Sequence, residues 1–331
     1  MNAVGRWHYT SPRWLPGGHA QTIWPALFSH SGPTVPPWRR ERLDTPDGDF
    51  VDVDWSGAPG TTSPLLVLFH GLEGSSESHY AQAFAHQAER CELPFAVPHF
   101  RGCSGEINRA PRAYHSGDFA EVDWVLQSLA QRHAGPLLVV GVSLGGNALL
   151  RWAQELGHAG RHRVQAVAAI SAPLDLRSCG LAIGRGFGRQ VYTRMFLRTM
   201  KRKALLKLQQ YPGLVDRRAV LAAQDLYAFD DVFTAPLHGY DGVDDYWRRA
   251  SALPNMRSIE LPALVINAQN DPFVPAACLP TPADVSPRVE LWQPRHGGHV
   301  GFAAGRPPGH VLALPAQVIA WLLQHVPDGG A

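Results

Sequence analysis

The strongest constraint in the chain is a set of short, unbroken apolar runs separated by stretches of helical spacing. Leu65-Leu66-Val67-Leu68-Phe69 contains no polar residue, and Leu137-Leu138-Val139-Val140 and Ala263-Leu264-Val265-Ile266 repeat the pattern. A strand with water on one face alternates apolar and polar residues, so an unbroken run needs both faces covered. Helical spacing at about 78–90, 118–132, 147–156 and 311–325 supplies the covers. With further strands at 95–97, 164–170 and 289–292, this order predicts an α/β fold, a doubly wound and mostly parallel sheet.

The remainder of the chain is divided by the same test. Residues 1–38, rich in Pro, Gly and Trp, read as an irregular N-terminal arm packed on the core. Phe50, Val51, Val53 and Trp55 interleave with Asp52 and Asp54 after the turn Thr45-Pro46-Asp47-Gly48, which predicts an antiparallel hairpin with 40–43 at a sheet edge. Residues 173–255 have helical spacing and no buried strand, so they read as a helical cap inserted into a core made of 39–172 and 256–331. The whole is expected to be one catalytic domain, with the cap over the C-terminal strand ends where sites of open α/β sheets lie.

Gly141-Val142-Ser143-Leu144-Gly145 is a G-x-S-x-G pattern, weak alone and strong in place. It directly follows a buried strand and precedes a helix, the setting of a nucleophile elbow, where strain pushes the serine hydroxyl away from the sheet. Ser104 also follows a strand, but its glycines are misplaced and no helix begins there, so a loop turn is the reading. A tetrahedral intermediate needs two N–H donors for its oxyanion. Leu144, after the nucleophile, is one; Leu72 in His70-Gly71-Leu72-Glu73-Gly74 is the other, with the glycines permitting close approach.

Serine must lose its proton to a histidine that a carboxylate orients, and in this architecture the chain order is Ser, Asp or Glu, then His. Asp271, in Asn270-Asp271-Pro272 after the strand 263–266, is the expected acid, with Asp175 as runner-up. His299, in His296-Gly297-Gly298-His299-Val300-Gly301-Phe302, is the expected base: the glycines allow a tight loop, Phe302 packs behind, and His296 lines it. His70, His79, His115 and His238 are expected near the pocket as structural residues.

Formal charge is +2 over 331 residues, which gives no reason to expect a nucleic-acid partner. The basic run 198–203 (RTMKRK) reads as a solvated helix face, with membrane contact the less favoured alternative. Cys91, Cys103, Cys179 and Cys278 have no C-x-x-C or metal-ligand spacing, so reduced thiols are expected and no metal. No stretch has signal-peptide character or the roughly 20 apolar residues that cross a bilayer. A soluble, cytoplasmic protein is the expectation.

These residues resemble the YheT-like family of α/β hydrolases. The likeness runs through His19-Ala20-Gln21-Thr22, Pro46-Asp47-Gly48, 70–76, 100–106, Tyr114-His115-Ser116-Gly117, 141–147 and 171–176, and on through Phe229-Asp230-Asp231, 246–251, 271–275 and 299–302. Gly17-Gly18 departs from the Asn-Pro more usual there. The resemblance implies the same triad, Ser143, Asp271 and His299, and carboxylesterase-type activity without cofactor, with some relatives acting on lipid esters. Acyl transfer or thioester cleavage on the same triad, and a catalytically silent interaction module, are the rival readings.

Overall fold

The computed structural model describes residues 7–34, 37–57, 62–156 and 164–327; residues 1–6 and 35–36 of the expected arm and the last four residues of the core lie outside that range. Eight strands form one sheet: β1 (Arg39–Asp44), β2 (Phe50–Ser56), β3 (Leu65–Phe69), β4 (Phe95–Pro98), β5 (Leu137–Val142), β6 (Val164–Ile170), β7 (Ala263–Ile266) and β8 (Val289–Trp292), in the order β1-β2-β4-β3-β5-β6-β7-β8. β2 runs antiparallel to both β1 and β4, and the pairings from β4 through β8 are parallel. The sheet is therefore the doubly wound, mostly parallel one expected, with its hairpin at the edge.

The unbroken runs serve two cores at once. Leu65, Val67 and Phe69 point to one side, with α3 (Phe119–Arg132) and α4 (Leu144–Leu156); Leu66 and Leu68 point to the other, with α2 (His79–Arg90) and the closing helix Ala313–Leu323. Every residue of β3 is buried. Each such side chain is worth about 1.5–3 kcal/mol relative to exposure, enough to offset the roughly 1–2 kcal/mol of backbone entropy lost per residue. That balance is why so short a strand holds.

Two expectations need revising. The arm carries a helix, α1 (Gly17–Phe28), despite two glycines at its start and Pro25 inside it; propensity argues against it, and burial of Gln21, Thr22 and Pro25 against the core outweighs propensity. The basic run lies on a 17-residue helix, α6 (Arg194–Gln210), preceded by α5 (Leu176–Ile183) and a wide π-type turn at Arg189–Thr193. It is not wholly a solvated face: Lys203 is partly buried, and one turn beyond the run Lys207 is 2% exposed. Lys207 Nζ donates to the carbonyls of Asn108 and Ala110. Between β6 and β7 the described residues form helices and turns only. No helix among the described residues is long and apolar enough to cross a membrane.

Candidate active site

The link from β5 to α4 is one residue, Ser143, with φ +52°. A non-glycine residue there is strained, and its N–H donates to the Ile170 carbonyl of β6 at 2.8 Å, which anchors the turn to the sheet. Gly145 has to be glycine: a Cβ there would sit 2.5 Å from the carbonyl oxygens of Phe69 and His70. α4 starts at Leu144, three residues earlier than helical spacing indicates, because the elbow feeds straight into it.

Asp271 lies past β7 and His299 past β8. His299 Nδ1 is 2.8 Å from Asp271 Oδ2, and His299 Nε2 is 3.0 Å from Ser143 Oγ. A carboxylate only accepts, so Nδ1 carries the proton and Nε2 is left to accept from the serine hydroxyl. Asp271 Oδ1 accepts from the N–H groups of Phe273 and Val274, and the Phe273 ring stacks on the imidazole at 4.0 Å. The three residues named from sequence thus form one hydrogen-bonded chain. Asp175 is elsewhere engaged, capping α5 by accepting from Ser178 N at 3.2 Å and from Ser178 Oγ at 2.6 Å. Ser104 donates to Asp52 in a loop turn, and His296 is exposed.

Leu72 and Leu144 border the same cavity as Ser143. Among the described residues neither N–H has a hydrogen-bond partner in the protein. The loop carrying Leu72 is braced at Glu73, itself at φ +57°. Glu73 Oε1 accepts from Tyr114 OH at 2.7 Å and Lys203 Nζ at 2.8 Å, and Glu73 N donates to Tyr114 OH at 2.9 Å. Burial opposes the Lys203 charge, but Cys103 and Glu73 outweigh it and raise the pKa above its ordinary value. An ammonium from α6 therefore holds the loop after β3. Nothing in sequence reading signalled this brace, since Lys203 is one lysine in a basic run.

The His299 loop is held from a second direction, by the arm. Gln21 Oε1 accepts from Gly297 N and from Asn270 Nδ2, both at 2.9 Å, and Gln21 Nε2 donates to the Leu15 carbonyl at 2.8 Å. Thr22 Oγ1 accepts from His299 N at 2.9 Å. Gly301 packs so tightly on α1 that a Cβ would come 1.7 Å from the Gln21 carbonyl oxygen. Val300 and Phe302 both have positive φ, 58° and 43°, a strained loop that persists only where its surroundings fix it. Gln21 and Thr22 are thus residues that position the loops of Asp271 and His299. Spacing did not reveal them because the helix that carries them was not legible.

The cavity has a volume of about 1020 Å³, its open mouth included. Leu176, Ile183, Phe196, Met200, Phe229 and Trp247 give it apolar walls. Of the four histidines expected nearby, His115 lines it. His70 is wholly buried, His79 reaches the Val300 carbonyl at 3.4 Å, and His238 lies 4.3 Å from His115, ring to ring. Burial pushes the His79 pKa down to about 4, so it stays neutral beside the His299 loop. Asp230, also lining the cavity, is pushed up to about 6 by burial while accepting from Thr234 and Trp247. Among the described residues no cluster of three or more His, Cys, Asp or Glu side chains forms a metal-ligand set.

Comparison with known proteins agrees with this architecture. Residues 64–305 match the α/β hydrolase fold family. The Escherichia coli YheT protein, named as a candidate esterase, is 40% identical over 316 residues, covering 94% of this chain and 89% of that one. Human phospholipase ABHD3 is 26% identical, over 88% of this chain and 73% of its own. A Pyrococcus furiosus esterase superposes with a TM-score of 0.53 at 15% identity, over 87% of this chain and 90% of that one, a likeness of fold. The chain belongs to the α/β-hydrolase family, on its YheT-like branch.

Proposed function

We propose that the protein is a serine hydrolase that cleaves carboxylic esters through an acyl-enzyme, with Ser143 as nucleophile, His299 as base and Asp271 as orienting acid. The observation that carries this reading is the unbroken hydrogen-bond chain from Asp271 through His299 to Ser143, at the wall of an apolar cavity. In this scheme Ser143 Oγ attacks the ester carbonyl carbon as His299 Nε2 takes its proton. The oxyanion accepts from the Leu72 and Leu144 N–H groups. The intermediate collapses, His299 returns the proton to the departing alkoxide, and an alcohol leaves. Water, deprotonated by His299, then attacks the acyl carbonyl, and its collapse restores Ser143 and releases the acid.

We take residues 173–255 as the cap that selects substrate, the core as 39–172 with 256–331, and residues 1–38 as the arm that steadies it. Apolar walls favour short- to medium-chain or lipid-like acyl groups, in keeping with the phospholipase and esterase names of the relatives. The chemistry draws on no cofactor. Four free cysteines fit a reducing, cytoplasmic setting.

An active-site-directed fluorophosphonate is the direct test. Wild type is expected to label and Ser143→Ala to stay unlabelled at equal fold content by circular dichroism. Equal labelling of the two, or labelling of neither, removes the serine-hydrolase reading.

A further inference from the structure

Residues 176–215 contain nine Lys and Arg and no Asp or Glu, in a chain whose whole excess is +2. Folding splits these cations. Lys203 and Lys207 turn inward, while Arg185, Arg189, Arg194, Arg198 and Arg202 are exposed. Among the described residues none of these five arginines has a carboxylate within ion-pair distance; Arg189 donates to Gln224 at 2.8 Å. The flanking carboxylates Asp216 and Asp225 accept from backbone N–H groups at helix starts. Apart from Arg177, which pairs with Asp244 at 2.7 Å, and Lys203, which pairs with Glu73 at 2.8 Å, charge of one sign is thus concentrated here and left unneutralised.

The same surface is apolar. Phe187, Val191 and Met195 are 50%, 37% and 54% exposed, at i, i+4 and i+8 along the helical turns that enter α6. Arg194, Arg198 and Arg202 have the same spacing one step round. On the opposite side of these turns, Tyr192 is buried, and Phe196, Met200 and Lys203 line the cavity of Ser143. One helical segment therefore shows the cavity its inner face and shows solvent an outer face of large apolar side chains edged by free arginines. A surface that only had to stay soluble has no use for exposed Phe and Met between arginines, and one that bound a polyanion alone would need only the arginines.

We propose that this outer face docks on an anionic lipid surface, with Phe187, Val191 and Met195 entering the headgroup boundary and the arginines meeting lipid phosphates. That is how basic amphipathic helices lie in a membrane interface. It sets the wall of the cavity against the phase that holds lipid-like esters. This purpose rests on the ester-hydrolase reading; the binding itself does not.

Binding is therefore measured on full-length Ser143→Ala protein, so that it stands or falls apart from catalysis. The assay is co-sedimentation with vesicles of phosphatidylcholine alone or with one quarter phosphatidylglycerol. Binding is expected to the anionic vesicles and not to the neutral ones, and to weaken steeply with salt, since the Debye length shrinks from about 10 Å at 0.1 M to about 3 Å at 1 M. Adding Arg194→Gln, Arg198→Gln and Arg202→Gln together should lower partition on the order of 100-fold, at about fivefold per arginine. Phe187→Ser with Met195→Ser should lower it at least fivefold. Circular dichroism melts check that both variants fold. Protein that stays in the supernatant, that binds neutral vesicles equally, or that is unaffected by the arginine changes overturns the proposal. So does an apolar pair without effect, which would make the face a general polyanion site open to nucleic acid.

Discussion

Ser143, Asp271 and His299 follow the C-terminal ends of three parallel strands, β5, β7 and β8, whereas the facing wall of the cavity comes from helices between β6 and β7. The first side is set by backbone. Sheet register places the turn after β5 beside that after β6, and Gly145 and Gly301 fix close approaches that no side chain could enter. The second side is set by packing of Leu176, Phe196, Met200 and Phe229, residue types that many arrangements would bury equally well. On the proposed reading, chemistry sits where geometry is over-determined, and substrate choice where it is adaptable.

The largest effect that would break this contrast concerns the acid. Asp271→Asn is expected to lower kcat on the order of 10⁴-fold, because an amide cannot hold His299 in the tautomer that accepts from serine. Asp175→Asn should change kcat less than threefold, and cost at most about 1 kcal/mol of stability as an altered helix cap. Steady-state kinetics with a p-nitrophenyl ester decides, and the reverse ranking would move the acid to Asp175.

Next comes the arm. Gln21→Ala strands the buried Gly297 N–H and frees Asn270, a loss of about 1–3 kcal/mol, and loosens the His299 loop. We expect kcat to fall about 10- to 100-fold with KM little changed, since a misplacement of about 1 Å is worth that much. Gln21→Glu keeps the acceptor for Gly297 but sets an oxygen against the Leu15 carbonyl in a buried site, so it should recover only part of it. A drop in melting temperature with kcat intact would reduce Gln21 to a structural role.

The smallest effect lies in the helical wall. Met200→Trp should lower kcat/KM for a dodecanoyl ester about tenfold, equivalent to roughly 1.4 kcal/mol of overpacking, while leaving an acetyl ester within threefold. A uniform loss across chain lengths would show that Met200 shapes the strand-end side as well.

Legibility followed the same divide. Leu65–Phe69 announced a doubly covered strand, Gly141 to Gly145 an elbow, and Asp271 and His299 fell in the loops where this topology needs them. α1 was missed because Gly17, Gly18 and Pro25 argue against a helix that long-range contacts nonetheless stabilise. Lys203 was assigned to water because a run of cations says nothing about which member turns inward.

What the sequence by itself determined was the sheet, its covers and the residues at its strand ends, because strand burial and sharp turns leave a local, period-bound pattern. Only the tertiary structure decided that Gln21 and Thr22 hold the His299 loop, that Lys203 braces Glu73, and that α6 shows an apolar, basic face to solvent. Those contacts join segments about 130 to 277 residues apart. No local propensity encodes them, and they arise when packing chooses which polar groups must find partners away from water.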